Sequence, residues 1–471
     1  MSRSARAAGL PLASFAMVMA TGITAAELRL SGHAQLAAGT LALAAASFVF
    51  LAAATCWRAV RQPAALRADL MVPERAFAAF AVPAAACVLC AGLVAAGFAR
   101  AGAALAAFAL AAWLALTFMV PARLALLRRA APAVPDVNGT WFLWAVATQG
   151  LAVAAAALAG AGLLPAAPAS WAGRGLWLAG IALYVLTLAL VAFRLLTSGP
   201  GPAGMRAPYW VAMGAASISV LAAALVLRIP GQPVPRAARL AATCVTAALW
   251  ALATLLIPVL AGTSVRLWLC SRPRPLRVSC PPGAWTIAFP VGMYATASMR
   301  FGTSFGLPEI HRIGALAAGP AAAVWAAAFV ALVIVVAAVG VAVLRQRRRR
   351  AAGGAALAAP PGRQEPHGRQ RYKCQALIRL LPAGEDGGGL PEEPVYRAVL
   401  YARHHGSGAS EMFSGLVSAG DDGPAQADMS RLVTVEAFGR EPDDCLAPGD
   451  LFTIWRGRDL ARGIVTRRIF V

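Results

Sequence analysis

Acidic residues are nearly missing from the first three-quarters of this 471-residue chain. Between Met1 and Arg350 there are five, Glu27, Asp69, Glu74, Asp136 and Glu309, and the other fifteen of the twenty lie beyond. Lysine is scarcer still, with Lys373 the only one. The five histidines, His33, His311, His367, His404 and His405, fall outside the long apolar runs. Charged residues make up 13% of the chain, against roughly 25% in a water-soluble domain. Each shortage excludes something. A stretch of some 350 residues with so little charge cannot be solvated on all sides, so its solvent is lipid. A phosphate-cradling G-x-x-x-x-G-K-[ST] loop is absent. No metal-ligand cluster and no nucleophile beside a base occurs near the membrane. No catalytic residue, metal or cofactor is therefore assigned, and an enzyme is not expected.

What is present is hydrophobic sequence: 59% of residues, with a mean hydropathy of +0.67. Runs of about 20 apolar residues, enough to cross a bilayer core of roughly 30 Å, occur ten times. They cover about 10–30, 35–57, 76–98, 101–121, 140–160, 175–197, 208–227, 239–260, 282–300 and 320–344. The first run follows MSRSARAAG and could pass for a signal peptide, but the helix count and the charge asymmetry both require it as a span.

The net charge of +22 is unevenly placed. Up to Arg350 there are 28 arginines against five acids, a net of +23; beyond it 14 Lys+Arg face 15 Asp+Glu, a net of −1. The arginines sit between the apolar runs, where they set topology and meet lipid headgroups rather than nucleic acid. With the N-terminus inside, inner segments carry 20 arginines and outer ones 8. That excess and the even span count place both termini in the cytoplasm of a cell-membrane protein.

After the last run, RQRRRR (345–350) reads as a stop-transfer anchor and the Gly-, Ala- and Pro-rich stretch behind it as a flexible linker. From Tyr372 the pattern changes to short alternating runs split by Gly, Pro and Asp, the signature of a small antiparallel β-barrel. The expected organisation is thus a helical membrane domain over 1–345, an anchor and linker over 346–371, and a cytoplasmic barrel over 372–471.

Few residues in the spans can carry chemistry. Glu27, near the outer end of the first, is the one acid there, either a proton-relay candidate or a partner for Arg29 or headgroups. A pathway without buried acids suits an anion. Cys87 and Cys90 form a CxxC inside an apolar helix, a spacing that more often serves packing than redox chemistry. Pro11, Pro83, Pro208 and Pro290 break spans one, three, seven and nine. Such breaks are tolerated where neighbours or a water-filled cavity satisfy the freed backbone groups. Odd spans then line a pore and even spans surround it. Asn138 and Thr140 match a glycosylation sequon that a cytoplasmic loop would not expose. His404 and His405, adjacent in a strand, point to opposite faces and suit solvation or packing better than metal.

Four ordered segments, PLASFAMVMATGITAAEL (11–28), NGTWFLWAVATQGLAV (138–153), PYWVAMGAASISVLA (208–222) and AWTIAFPVGMYATAS (284–298), carry a resemblance over about 10–344. They resemble the tellurite-resistance/C4-dicarboxylate transporter family, which includes the plant slow anion channels. The resemblance implies an all-α polytopic membrane protein, with ten transmembrane helices as five hairpins around a central pore, assembled as a homotrimer. It implies transport of small inorganic anions or C4-dicarboxylates, or alternatively proton-coupled carriage of C4-dicarboxylate with tellurite tolerance as a phenotype. By the match to AFPVGMYA, Phe289 is the counterpart of an aromatic pore gate, or else simply packs; Pro290 beside it would re-aim its ring. Candidate pore-lining residues on odd spans are Thr21, Gly22, Thr148, Gln149, Tyr209, Met213, Ser217, Pro290, Met293 and Thr296, though Ser, Thr and Gln in such helices also bond neighbouring helices. APGDLFTIWRGRDLARGIVTRRIFV (447–471) is similar to the end of the third, β-barrel domain of elongation factor Tu. The GTPase is not implied, so the barrel is expected to bind a cytoplasmic protein partner or to regulate. A membrane-anchored scaffold acting through that barrel is the remaining alternative.

Overall fold

A computed structural model of the chain describes residues 11–130, 137–198, 207–229, 235–270, 284–356, 372–380, 395–403, 410–419, 430–438, 448–455 and 459–469. The chain divides into two compact units, Met1–Gly353 and Gly354–Val471. His367, His404, His405 and Asp136 lie outside the described residues.

The first unit is helical. Its helices are α1 (Phe15–Leu30), α2 (Ala34–Arg61), α3 (Pro63–Met71), α4 (Pro73–Ala78), α5 (Ala81–Ala95) and α6 (Ala99–Ala130). They continue as α7 (Phe142–Gly160), α8 (Ala166–Ser198), α9 (Trp210–Val226), α10 (Arg236–Cys270), α11 (Trp285–Phe305) and α12 (Pro308–Ala356). Among the described residues, seven stretches are long and apolar enough to cross a membrane: Ala34–Arg61, Pro73–Ala95, Ala99–Ala122, Gly139–Gly160, Ala166–Thr197, Arg236–Arg266 and Pro308–Ala338. The other three of the ten expected spans are α1, α9 and α11, which are mostly enclosed by other helices.

The enclosure is a ring. α1 packs on α5, α5 on α7, α7 on α9, α9 on α11, and α11 back on α1. Each of these five inner helices is followed by an outer one, as α1–α2, α5–α6, α7–α8 and α9–α10. In the fifth hairpin Gly314 of α12 lies on Met299 and Ala295 of α11. All five inner helices run in one direction, and the outer helices return. Burial separates the two layers: α5 and α7 are largely buried, whereas α6, α10 and α12 turn most of their length outward. Phe118 and Leu114 on α6, Leu255 and Val259 on α10, and Val330 and Ile334 on α12 are exposed apolar side chains that lipid would cover.

Inner helices begin irregularly. α1 follows Pro11 and a 3-10 turn over Leu12–Ser14. α7 and α9 start from 3-10 turns at Gly139–Trp141 and Ala207–Tyr209. Those two turns touch: a Cβ at Gly139 would run into the backbone of Pro208 and Tyr209, so only glycine fits. The expected third span, 76–98, is two pieces rather than one, because α4 and α5 are separated by a bend at Ala79 and Phe80. The loop before it holds the short α3. The segment read as anchor and linker also starts as structure, since α12 runs through the basic run to Ala356. A helix already ordered by its membrane half propagates cheaply through Arg and Ala, both good helix formers.

The second unit is a closed six-stranded antiparallel barrel, in the order β1-β4-β3-β2-β5-β6. Its strands are Tyr372–Leu380, Val395–Arg403, Ser410–Ala419, Ser430–Phe438, Leu451–Trp455 and Asp459–Ile469, numbered β1 to β6. The alternation in sequence becomes an interior of Ala376, Ile378, Val417, Val433, Val435, Phe452, Ile454 and Val465. Closure pairs β6 with β1 and leaves no free edge.

Candidate pore and vestibule

Inside the helical ring, toward the C-terminal ends of the inner helices, lies a cavity of about 520 Å³. Each inner helix lines it with residues three or four apart, the spacing of one helical face. α1 contributes Gly22, Ala25, Ala26 and Arg29; α5 contributes Cys87, Val88 and Ala91; α7 contributes Gly150, Val153 and Ala157. Ile218, Leu221 and Leu225 come from α9, and Met293, Thr296 and Arg300 from α11. Small residues let the helices approach: a Cβ at Gly22 would collide with Val88, and one at Gly150 would press on Cys87. The wall is mainly apolar, with two cations, Arg29 and Arg300. Arg228, at the end of α9, adds its positive field to Arg300.

Met293 forms part of the floor, and Phe289 lies one turn deeper on the same face, about 6 Å along the helix axis. The same step down the other lining faces reaches Met19, Ala84, Val146 and Gly214. Phe289 is buried, with 2% of its surface exposed, and Met19, Ala84 and Val146 are buried with it. At Gly214 a Cβ would press on Pro290, which shows how closely α9 and α11 meet. Phe289 is thus the one aromatic in a layer otherwise of small or aliphatic residues. Further toward the helix starts, Phe15 packs edge-on against Phe48 of α2, and Phe80, just before α5, stacks on Trp144 of α7.

Of the sequence candidates, Gly22, Met293 and Thr296 line the cavity; Phe289 precedes Met293 by one turn, and Pro290 packs against Gly214 of α9. Thr21, Thr148, Gln149 and Tyr209 bond to other helices, and Ser217 bonds within its own. The Thr21 hydroxyl accepts from the Trp325 indole of α12 and donates to the Met17 carbonyl. Thr148 accepts from Trp113 of α6 and donates to the Trp144 carbonyl. Gln149 donates to the Trp177 carbonyl of α8, and the Tyr209 hydroxyl accepts from Arg194. Ser217 donates to the Met213 carbonyl, with the Met213 sulfur 3.8 Å away. Arg29 and Arg300 were counted in sequence as outer-loop charges. For Arg300 the signal was available, since Met293, Thr296 and Arg300 share one helical face.

Glu27 is not at the surface, where a headgroup partner would put it. It is buried beside Gly292 of α11, and among the described residues its Oε2 has no hydrogen-bond partner. Cys87 and Cys90 are free buried thiols; Cys87 packs on Gly150 and Cys90 beside Gly102. Among the described residues no group of His, Cys, Asp and Glu could hold a metal ion. At the opposite end of the ring Asp69 bridges Arg58 and Arg75. Burial pushes its carboxyl upward, but hydrogen bonds from both arginines and their charges outweigh that and hold it below the usual range.

Comparison with known proteins places these features. The model of the voltage-dependent anion channel (SLAC1) family matches residues 9–339, which include the entire ring and both cavity arginines. The chain is also 36% identical over 149 residues to an uncharacterized membrane protein of Mycobacterium tuberculosis, found in strains CDC 1551 / Oshkosh and ATCC 25618 / H37Rv. That match covers 32% of this chain and 74% of the relative.

Proposed function

Since the chain belongs to the voltage-dependent anion channel family, a family of channels and transporters in the membrane, we propose that it moves anions through the ring of inner helices. The pathway enters the cavity past Arg29 and Arg300 and is closed in this conformation at Phe289. One observation carries the reading: two arginines line a mainly apolar cavity to which all five inner helices contribute. Charges of one sign in a low-dielectric cleft concentrate counter-ions and raise their entry rate by tenfold or more. An anion there also relieves the cost of leaving a guanidinium without a partner. In the orientation given by the arginine excess, the cavity opens to the outside and the barrel faces the cytoplasm of a cell-membrane protein. The exposed apolar side chains of the outer helices meet lipid and the neighbouring subunits of a homotrimer, and the barrel binds a cytoplasmic protein.

Reconstitution into liposomes tests this reading. Chloride, nitrate and succinate gradients should drive flux in the presence of protein. Arg29→Gln and Arg300→Gln should each cut flux at low anion concentration by roughly tenfold. Selective cation flux, or anion flux indifferent to both arginines, would refute the pathway. Proton-coupled carriage of a C4-dicarboxylate is the second reading, and the burial of Glu27 favours it.

A further inference from the structure

The ring wall contains a carboxyl group that the anion pathway as described does not use. Glu27 sits on α1 between residues that line the cavity: Ile23 one turn before it, Ala26 directly before it and Arg29 two positions on. Its own side chain does not line the cavity. It enters the seam between α1 and α11, where its Oε2 comes within 3.5 Å of the position a Cβ on Gly292 would occupy. A Cβ there would press on Ile23 and stand in ordinary contact with that oxygen. The residue is 2% exposed, and its Oε2 accepts no hydrogen bond.

The surroundings offer no counter-charge at that level. Along α1 the nearest charge is Arg29, and along α11 it is Arg300, eight residues beyond Gly292. α12, which reaches α1 through Trp325 and Thr21, carries Glu309, His311 and Arg312 at its outer end and no titratable group from Ile313 to Val341. α2 carries none from Ala34 to Thr55, with His33 just before its start. On α9, the other neighbour of α11, Arg228 stands at the outer end. α5, the other neighbour of α1, has only Cys87 and Cys90 among titratable side chains.

From this geometry we infer that Glu27 is a proton-binding site coupled to anion occupancy of the cavity. A bare carboxylate in an apolar seam is strongly disfavoured, and a neutral carboxylic acid is tolerated. When the group ionises, its negative charge lies in the wall of the cavity and repels an anion there across a medium of low dielectric. Proton and anion therefore bind together. By linkage the effect is reciprocal: an anion in the cavity favours protonation, and a proton on Glu27 favours the anion. The inference rests on the anion pathway proposed above.

The test uses the full chain in vesicles of phosphatidylcholine and phosphatidylglycerol with a chloride gradient. As pH rises on the cavity side, wild-type flux should fall by about tenfold between its two limits, within the usual range for coupled sites. Glu27→Gln, which carries a neutral amide of similar shape, should hold the low-pH flux at every pH. A wild-type flux insensitive to pH, or a Glu27→Gln variant that keeps the wild-type pH response, overturns the proposal. A second measurement guards against a misfolded variant or a failed flux assay. Infrared difference spectra of the purified wild type should show a protonated carboxyl band that grows when chloride is added. A spectrum with no such band, or with one that ignores chloride, also overturns it. Chloride flux absent at every pH would instead sink the anion pathway, and the infrared arm would still decide the role of Glu27.

Discussion

Replacing Phe289 by alanine separates a gate from a packing residue, because the two roles predict opposite outcomes. In a soluble core, Phe→Ala costs roughly 3–5 kcal/mol, part lost transfer energy and part the cavity left behind. Phe289 is 2% exposed, so as a packing residue it should incur most of that. Its position alters the arithmetic. The floor of the cavity, at Met293, is one turn away, and Ala84 and Gly214 are the small residues at its own level. Space vacated by the ring would join the existing cavity and fill with water or anion. The penalty for an empty hole is then largely avoided, and the energy appears as an open path. Phe301 is the matched control: it is fully buried and on the same helix, but it faces Phe305 at 5.0 Å rather than the cavity stripe. Phe301→Ala should lose about 3 kcal/mol or more of stability with no gain of flux. Phe289→Ala should melt closer to wild type and pass chloride at least about tenfold faster, equivalent to ~1.4 kcal/mol off the barrier. Thermal unfolding in detergent and anion-replacement flux in liposomes measure the two sides. Unchanged or reduced flux per folded Phe289→Ala molecule would refute the gate.

Asp69→Asn should destabilise by about 3 kcal/mol at neutral pH, because it leaves Arg58, with 7% of its side chain exposed, as a buried charge without its counter-ion. The sign with pH follows from a carboxyl held below its unfolded value. Its stabilisation is complete above pH ~4 and is lost as pH falls through the folded value, so the gap between Asn variant and wild type should close in acid thermal melts. Trp325→Phe removes one indole donor to Thr21 and should cost about 0.6 kcal/mol, with flux and assembly kept; loss of the folded ring would mean that this seam is carried by that bond alone. A chain ended after Arg350 should still insert and conduct, as read by detergent-solubilised yield and liposome flux; loss of assembly would make the barrel structural. Alkaline phosphatase fused after Val471 should be inactive and a cytoplasm-active fluorescent fusion bright, and the reverse pattern would invert the pore.

Much of the fold was legible because lipid imposes a coarse rule. Long apolar runs and the arginine asymmetry pointed to ten spans, and the alternating runs after Tyr372 correspond closely to the six strands of the barrel. The inner helices were visible through their prolines and their polar residues. The reading of those polar residues was less successful, since a serine or threonine in a membrane helix serves a pore or a neighbour equally well in sequence. Thr21 and Gly22 are adjacent, yet Gly22 faces the cavity and Thr21 faces α12. Nothing in one sequence fixes that rotation. Glu27 was visible as the sole acid in the spans, but it is buried beside Gly292, more than 260 positions along the chain.

The polar residues that turned away from the cavity follow a common logic. Trp113 of α6 donates to Thr148 of α7, and Trp144 of α7 returns a bond to Thr117 of α6. Trp177 of α8 donates to the Ser219 carbonyl of α9, and Trp250 of α10 donates to Ser298 of α11. Trp325 of α12 donates to Thr21 of α1. In each case an outer helix reaches the inner helix of the next hairpin, and together these bonds span four of the five seams of the ring. Within a hairpin a short connection holds the two helices together, whereas most connections from one hairpin to the next are longer, and in lipid the hydrophobic effect does not drive helices to associate. An indole paired with a hydroxyl or a carbonyl supplies what is missing: a large surface for packing and one directional bond where an unpaired donor is costly. Tryptophan and threonine in the spans therefore fix the order and rotation of the hairpins. The cavity is left to glycine, alanine and aliphatic side chains, and an anion inside it meets polar chemistry mainly at Arg29, Arg300 and Thr296.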